Sequence, residues 1–300
     1  VINTPSDAAY LVAEVGSRGR GHIEFLMPAV RPDVAVVTNL GVVHMETFGT
    51  ADRLADSKFE LVEALQAGGV AVLPAGEARL RRPHRGSTVT FGQEDHADVQ
   101  VTRLRVNDDG FPRFVIKADG DSAEIQLGVA GAHQALNAAA AAAAGIAVGV
   151  DLPTLASGME AASGSQWRME IHRGRFTVVN DAYNANPDSM EAAMRTVAAM
   201  PGRHLAVLGA MAELGPLEES EHRRIGELAR DLDFAAVLTV GDEPGIATGA
   251  GSIARNVGDP DTALELIEGM VRDGDVVLIK ASRAIGLETV AIRLAEEATT

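Results

Sequence analysis

Short apolar, β-branched runs alternate with amphipathic stretches over the first quarter of the chain. In order they are Tyr10–Val15, a helix near His22–Val30, Val34–Leu40, a helix from Ala51 to Leu65, and Val70–Pro74. Alternation of this kind predicts a mostly parallel sheet covered by helices. Between Asp98 and Val129 the pattern changes to alternating segments separated by Asn107-Asp-Asp-Gly110 and Asp119-Gly-Asp121. Those turns predict hairpins in a small antiparallel sheet. An alanine-rich run then predicts a buried helix from about Ala132 to Val148, and a linker through Asp151-Leu-Pro153 leads into a further helix ending near Ala162.

Strand and helix alternate again from Phe176. A helix is expected over Pro187–Met200, a strand over His204–Gly209, a helix over Leu217–Leu232 and a strand over Ala235–Val240. A helix over Thr262–Arg272, a strand over Asp275–Lys280 and a helix over Ile285–Glu297 complete a doubly wound α/β unit. The fold class is therefore α/β, with a first domain over residues 1–172 and a Rossmann-like second domain over residues 173–300. The boundary falls near Ile171–Arg175, where Gly174 lies between two strand-like runs.

Composition narrows the function classes. Three hundred residues with 46% hydrophobic content can fill two cores, and no stretch has the character of a membrane span or a signal peptide. A formal charge of −16 argues against a nucleic-acid footprint, which needs a basic face. Zero cysteines exclude disulfides, thiolate chemistry and Cys-type zinc sites. A cytoplasmic protein without membrane insertion is expected. The phosphate-cradling pattern G-x-x-x-x-G-K-[ST] does not occur.

The most informative stretch is Thr177-Val-Val-Asn-Asp-Ala-Tyr-Asn-Ala-Asn-Pro-Asp-Ser-Met190. It reads as a buried strand, a polar loop, and a helix opened by an N-cap at Asn186, proline at the first helical position and an acid in the first turn. Such a corner exposes Asp181, Tyr183, Asn184 and Asn186 at the carboxyl end of a strand, where open α/β sheets hold ligands. The stretch resembles the D-[DS]-Y-N-A-N-P motif of the Mur ligase family, in the branch that adds D-alanyl-D-alanine to the muramoyl tripeptide.

Other segments resemble the same family. Ala13-Glu14-Val-Gly-Ser-Arg-Gly-Arg-Gly-His-Ile23 is similar to its E-[LM]-G-A-x-x-x-G-[HE]-I, and Thr38-Asn-Leu-Gly-Val-Val-His44 with Met-Glu-Thr-Phe-Gly49 to its N-[LIV]-x-x-x-H-[LV]-x-x-F-G. By spacing alone Glu14 is a solvated turn carboxylate and His44 a loop histidine; the resemblance implies that they help hold Mg²⁺ between ATP and the acyl substrate. Lys58, in Asp56-Ser-Lys-Phe-Glu60, is by itself a solvated helix lysine, and matches the lysine that the family carbamylates. Such a group replaces a cation by a carboxylate-like one, which suits a hard-oxygen metal site.

Gly131-Ala-His-Gln-Ala-Leu-Asn137 resembles G-x-H-N-x-x-N, which implies ATP contacts from His133 and Asn137, with Gln134 departing from the usual asparagine. Gln166-Trp-Arg168-Met-Glu170 resembles [GW]-R-x-E, which implies that Arg168 meets the ATP phosphates. Asp181 then matches the acid on the ATP ribose, with Tyr183, Asn184 and Asn186 shaping the nucleotide site. Leu208-Gly-Ala-Met-Ala-Glu-Leu-Gly215 resembles a stretch containing G-D-M-x-E-L-G, with alanine at 210 in place of aspartate; Glu213 is a substrate candidate, and His222 a matching histidine otherwise read as helix surface. Leu278-Ile-Lys280-Ala-Ser282-Arg283 resembles L-[VI]-K-[GA]-S-R, and Lys280, Ser282 and Arg283 are expected in a substrate carboxylate pocket.

Taken together, the resemblance implies a central ATPase domain that has lost an N-terminal segment bearing the phosphate loop, followed by a ligase domain. It implies ATP, Mg²⁺ and carbamylated Lys58, with catalysis by Lys58, His44 and Arg168. The expected reaction is ATP-dependent joining of D-alanyl-D-alanine to UDP-N-acetylmuramoyl-tripeptide through an acyl phosphate, in a monomer, for peptidoglycan synthesis; the 300-residue piece alone is expected to be inactive. A sister ligase such as folylpolyglutamate synthetase, and a non-catalytic nucleotide-binding module, are the alternatives.

Overall fold

The structure, a computed structural model, describes residues 4–17, 19–41, 45–242 and 244–299. Two compact units divide them: residues 1–102, 115–123 and 136–156 form one, and residues 103–114, 124–135 and 157–300 the other. No helix among the described residues is long and apolar enough to cross a membrane.

The elements run α1 (His22–Val30), β1 (Val34–Val36), α2 (Met45–Phe48), α3 (Ala51–Glu63), β2 (Val70–Pro74), β3 (Ser87–Gly92), β4 (Val99–Val106), β5 (Pro112–Ala118), β6 (Asp121–Gln126), α4 (Gln134–Ala147) and α5 (Leu152–Glu160). Then follow β7 (Glu170–Arg173), β8 (Thr177–Asn180), α6 (Pro187–Ala198), β9 (His204–Gly209), α7 (Glu218–Asp231), β10 (Ala236–Val240), α8 (Gly245–Ala250), β11 (Ala254–Val257), α9 (Pro260–Glu268), β12 (Val276–Lys280) and α10 (Glu288–Ala298). Short helices at 45–48 and 245–250 and strands at 87–92 and 254–257 add to the expected set.

Strands β1 to β6 form a six-stranded sheet in sequence order, with β1–β2–β3 parallel. The hairpin strands join β3 through a short parallel ladder, Phe91 opposite Val99 and Gly92 opposite Gln100, so they extend this sheet instead of forming a separate one. The Asn107 turn closes as expected, with Asn107 N donating to Phe111 O at 3.0 Å and the Asn107 side chain accepting from Phe111 N at 2.8 Å. One expected strand is missing: residues 10–15 have no regular structure. Among the described residues no ladder reaches this run, and Tyr10 and Val12 are 66% and 97% exposed, so its apolar pattern has no sheet to fold onto. Thr50 caps α3, accepting from Arg53 N at 3.3 Å. Glu60 of α3 in turn caps α1, accepting from Gly21 N at 2.6 Å and Glu24 N at 3.1 Å.

The second sheet has the order β11-β10-β9-β12-β8-β7, all parallel except β7. Alternate residues of its central strands enter two cores. Val179, Leu208, Val237 and Leu278 pack with α6, α7 and α8, while Val178, Val207, Leu238 and Ile279 pack with α9 and α10. Every residue of β12 is buried, as a central parallel strand requires. Because β12 lies between β8 and β9, their carboxyl ends bring residues 181–184, 210–213 and 280–283 to one edge.

Candidate functional site

The edge of the second sheet is built around a buried ion pair. Lys280 ends β12 with its side chain 2% exposed, and Nζ donates to Asp181 Oδ2 at 2.6 Å and to Asn184 O at 2.7 Å. The other carboxylate oxygen of Asp181, Oδ1, accepts from Met169 N at 3.0 Å. Burial pushes the Lys280 ammonium below the usual lysine value; Asp181 opposes that shift and the Arg168 charge adds to it. Lys280, expected in a pocket for a substrate carboxylate, is therefore committed internally. Ser282 is likewise buried, its Oγ accepting from Ala212 N at 2.8 Å. Of the three residues expected in that pocket, Arg283 is the exposed one.

Two stacked cation–aromatic pairs stand at this edge. The Arg168 guanidinium lies 4.1 Å from the Tyr183 ring centroid, and that of Arg283 lies 4.2 Å from the Trp167 centroid. Trp167 and Met169, on either side of Arg168, both have left-handed backbones, with φ of 59° and 51°. Conformations of this kind cost about 1 kcal/mol each without glycine, so local contacts must hold them. Trp167 O accepts from Tyr183 N at 3.1 Å, and Trp167 N donates to Glu170 Oε2 at 3.2 Å.

His133 joins the same electrostatic group: burial lowers its pKa, Asp181 opposes this and Lys280 reinforces it. Its Nδ1 is buried without a hydrogen-bond partner, and the ring folds over Gly131, where a Cβ would lie 2.5 Å from His133 Cε1 and where φ of +109° also favours glycine. Asn137 is exposed on α4, in the other unit. Tyr183 is 43% exposed and Asn184 is also exposed. Asn186 caps α6, its side-chain oxygen accepting from Ser189 N at 2.9 Å while its own N donates to Ser189 Oγ at 3.0 Å. Its oxygen is thus engaged in the cap that the sequence pattern predicts.

The loop after β9 is held from two sides. His222 Nδ1 donates to Glu218 O at 2.8 Å, which leaves Nε2 to accept from Met211 N at 2.8 Å. His222 is fully buried, not a helix-surface residue, because the short loop turns back over α7. Glu213 is exposed with φ of 65°. Ala210, where the motif has aspartate, contributes its carbonyl to Ser282 N at 3.0 Å. Trp167, Met169 and His222 are the parts of this edge that sequence reasoning undervalued; one tryptophan in 300 residues, placed beside Arg168, was the available signal.

In the first unit Lys58 lies on α3. Burial lowers its pKa, and the Glu14 carboxylate opposes the shift, so the two candidates share one electrostatic neighbourhood. Next to Lys58, the Ser57 and Ser17 hydroxyls meet at 2.8 Å. His44 lies outside the described residues. Among the described residues no group of three or more His, Asp or Glu side chains is arranged to hold a metal.

A Mur ligase middle-domain model matches residues 3–145, and a Mur ligase glutamate-ligase-domain model matches residues 167–283. A Mycobacterium tuberculosis protein named UDP-N-acetylmuramoyl-tripeptide–D-alanyl-D-alanine ligase is 36% identical, over 97% of this chain and 63% of its own length. The chain therefore spans less than two thirds of that relative. A crystal structure of MurF from Acinetobacter baumannii superposes with a TM-score of 0.89 at 26% identity, covering 98% of this chain and 66% of that one. A MurF ligase from Thermotoga maritima, solved in complex with ADP, gives 0.82 at 28% identity over 93% and 65% of the two chains. With both domain models matched in order, the chain belongs to the Mur ligase family.

Proposed function

We propose that the chain is the nucleotide-binding and ligase portion of an enzyme that joins D-alanyl-D-alanine to UDP-N-acetylmuramoyl-tripeptide at the expense of ATP. The observation that carries the reading is the corner after β8, where Asp181, Tyr183 and Asn184 of the family motif stand beside Arg168. The names of its relatives and the ADP complex of the Thermotoga protein support it. In this reading residues 1–172 are the central ATP-binding domain and residues 173–300 the ligase domain, which also gives Asp181, Tyr183 and Asn184 to the nucleotide, and the protein acts as a cytoplasmic monomer.

The tripeptide carboxylate attacks the γ-phosphorus of ATP, ADP departs, and an acyl phosphate remains. The dipeptide amine attacks the acyl carbon, loses a proton and expels phosphate. Arg168 neutralises phosphate charge, and its stack on Tyr183 restricts the guanidinium to few orientations. Asp181, with both oxygens already engaged, offers its remaining lone pairs to the ribose hydroxyls. Lys58 lies in the neighbourhood of the Glu14 carboxylate, and its lowered pKa favours the neutral amine that reacts with carbon dioxide. The resulting carbamate and Glu14 form an oxygen donor set that suits Mg²⁺, with His44 as a further candidate ligand. Mg²⁺ bound there would supply charge neutralisation on the phosphates. Arg283, Ser282 and Glu213 remain the candidates nearest the dipeptide, Ser282 through the loop it holds.

The test follows phosphate release from ATP and Mg²⁺ with the muramoyl tripeptide, using the chain in its longest natural form. Release that requires D-alanyl-D-alanine supports the reading. Release with single amino acids assigns the chain to a sister ligase, and none from a folded, ATP-binding protein assigns it to the non-catalytic class.

A further inference from the structure

Lys280 carries a buried charge that no step of the proposed reaction uses. Its side chain is 2% exposed, so the ammonium is turned to the interior and not to solvent. An ion pair in the interior gains little over an apolar pair of the same volume, because desolvating both charges offsets their attraction. What it does provide is geometry. The ammonium fixes Asp181 Oδ2 at 2.6 Å and Asn184 O at 2.7 Å, which ties the end of β12 to both sides of the loop after β8.

The constraint continues past Asp181. Its second oxygen accepts from Met169 N at 3.0 Å, and Met169 is one of the two left-handed residues that bracket Arg168. Trp167, the other, is tied back through its carbonyl to Tyr183 N at 3.1 Å, and Tyr183 carries the ring on which Arg168 stacks. Without these ties the 167–169 segment would relax, since left-handed backbone is unfavourable for both side chains. We infer that Lys280 is a positioning residue that, through Asp181 and Asn184, holds the 167–169 segment and the 181–184 loop in one arrangement and so sets where Arg168 points. The inference rests on the proposed function only in assigning Asp181 and Arg168 to the nucleotide.

Trp167 is the only tryptophan of the 300 residues, so its fluorescence reports on the held segment without any ligand. In Lys280→Met, far-UV circular dichroism is expected to stay native while Trp167 emission shifts to the red and acrylamide quenches it more easily. Asp181→Asn is expected to give the same shift, and the double variant no more than either alone, because both act through one chain of contacts. If Lys280→Met does not fold, the double variant, which leaves no lone buried charge, carries the same test. Unchanged Trp167 emission in a folded variant, or shifts of the two single variants that add, would overturn the inference. In the longest natural form Lys280→Met should bind ADP about tenfold more weakly while KM for the dipeptide stays put. The opposite split would return Lys280 to substrate binding, and failure of the parent protein to bind ADP would count against the proposed function alone, with Trp167 still deciding the role of Lys280.

Discussion

Arg203 meets Asp275 side on, with Nε to Oδ1 at 3.0 Å and Nη2 to Oδ2 at 2.6 Å. Asp275 is 3% exposed and also accepts from Arg272 N at 2.8 Å, so the pair joins the turns that enter β9 and β12. Burial raises the Asp275 pKa, but the Arg203 hydrogen bonds, the Arg272 amide and the arginine charges lower it further, leaving it below the usual 3.8. A carboxyl depressed on folding contributes stability that is present above its unfolded pKa and lost as pH falls through the folded value. Asp275→Asn should therefore cost about 2 kcal/mol at neutral pH and flatten the loss of stability below about pH 4, measured by urea unfolding across pH. An acid limb identical to that of the parent would refute this.

Asn186 is a helix cap before it is anything else. Asn186→Ala should destabilise the second unit by about 1 kcal/mol, while Asn186→Asp and Asn186→Ser, which keep the acceptor, should cost a few tenths. Chemical denaturation of the three variants separates the roles: if all three weaken ADP binding yet leave stability alone, the side chain is a ligand contact.

Helices α7 and α8 approach through glycine. A Cβ on Gly226 would collide with Ile246 O and would lie 2.6 Å from Ala250 N, and one on Gly249 would meet Arg223 O. Backbone cannot yield as a flexible side chain does, so Gly226→Ala should cost roughly 2 kcal/mol or more. Thermal unfolding of Gly226→Ala beside Gly251→Ala checks this; Gly251 has open space around it but φ of +63°, so its cost reports backbone strain alone.

Lys58 should be modified by carbon dioxide at lower pH than an ordinary lysine, because burial enlarges its neutral fraction. Carbon-13 NMR in labelled bicarbonate should show one carbamate signal that grows with pH and is missing from Lys58→Arg. The same variant should lose roughly 10- to 100-fold in turnover. A signal that persists in Lys58→Arg would remove Lys58 from this role.

The sheet architecture was legible because its strands are central: β2 and β9 match the expected spans, and both lie where continuous burial demands an apolar run. The Asn186 cap was equally legible, being written in three consecutive residues, Asn186-Pro-Asp188. Residues 10–15 show the opposite case, since an apolar run specifies a strand only when a neighbour supplies the ladder. At the candidate site, residue types were readable but burial was not. Lys280 and Ser282 look like Arg283 in a string of letters, and only the insertion of β12 between β8 and β9 hides two of the three. His222 was misplaced for the same reason, as its acceptor role depends on a loop doubling back.

The second unit takes its residues from three separate stretches of chain, and its core includes Ala130, with Phe111 packed against it, alongside residues from Met169 to Leu278. No single cut releases either unit whole. Gene fusion or recombination at any one point would therefore pass on an incomplete core, so the two units are expected to be inherited together, and swaps between related ligases to succeed only when all three stretches come from the same parent.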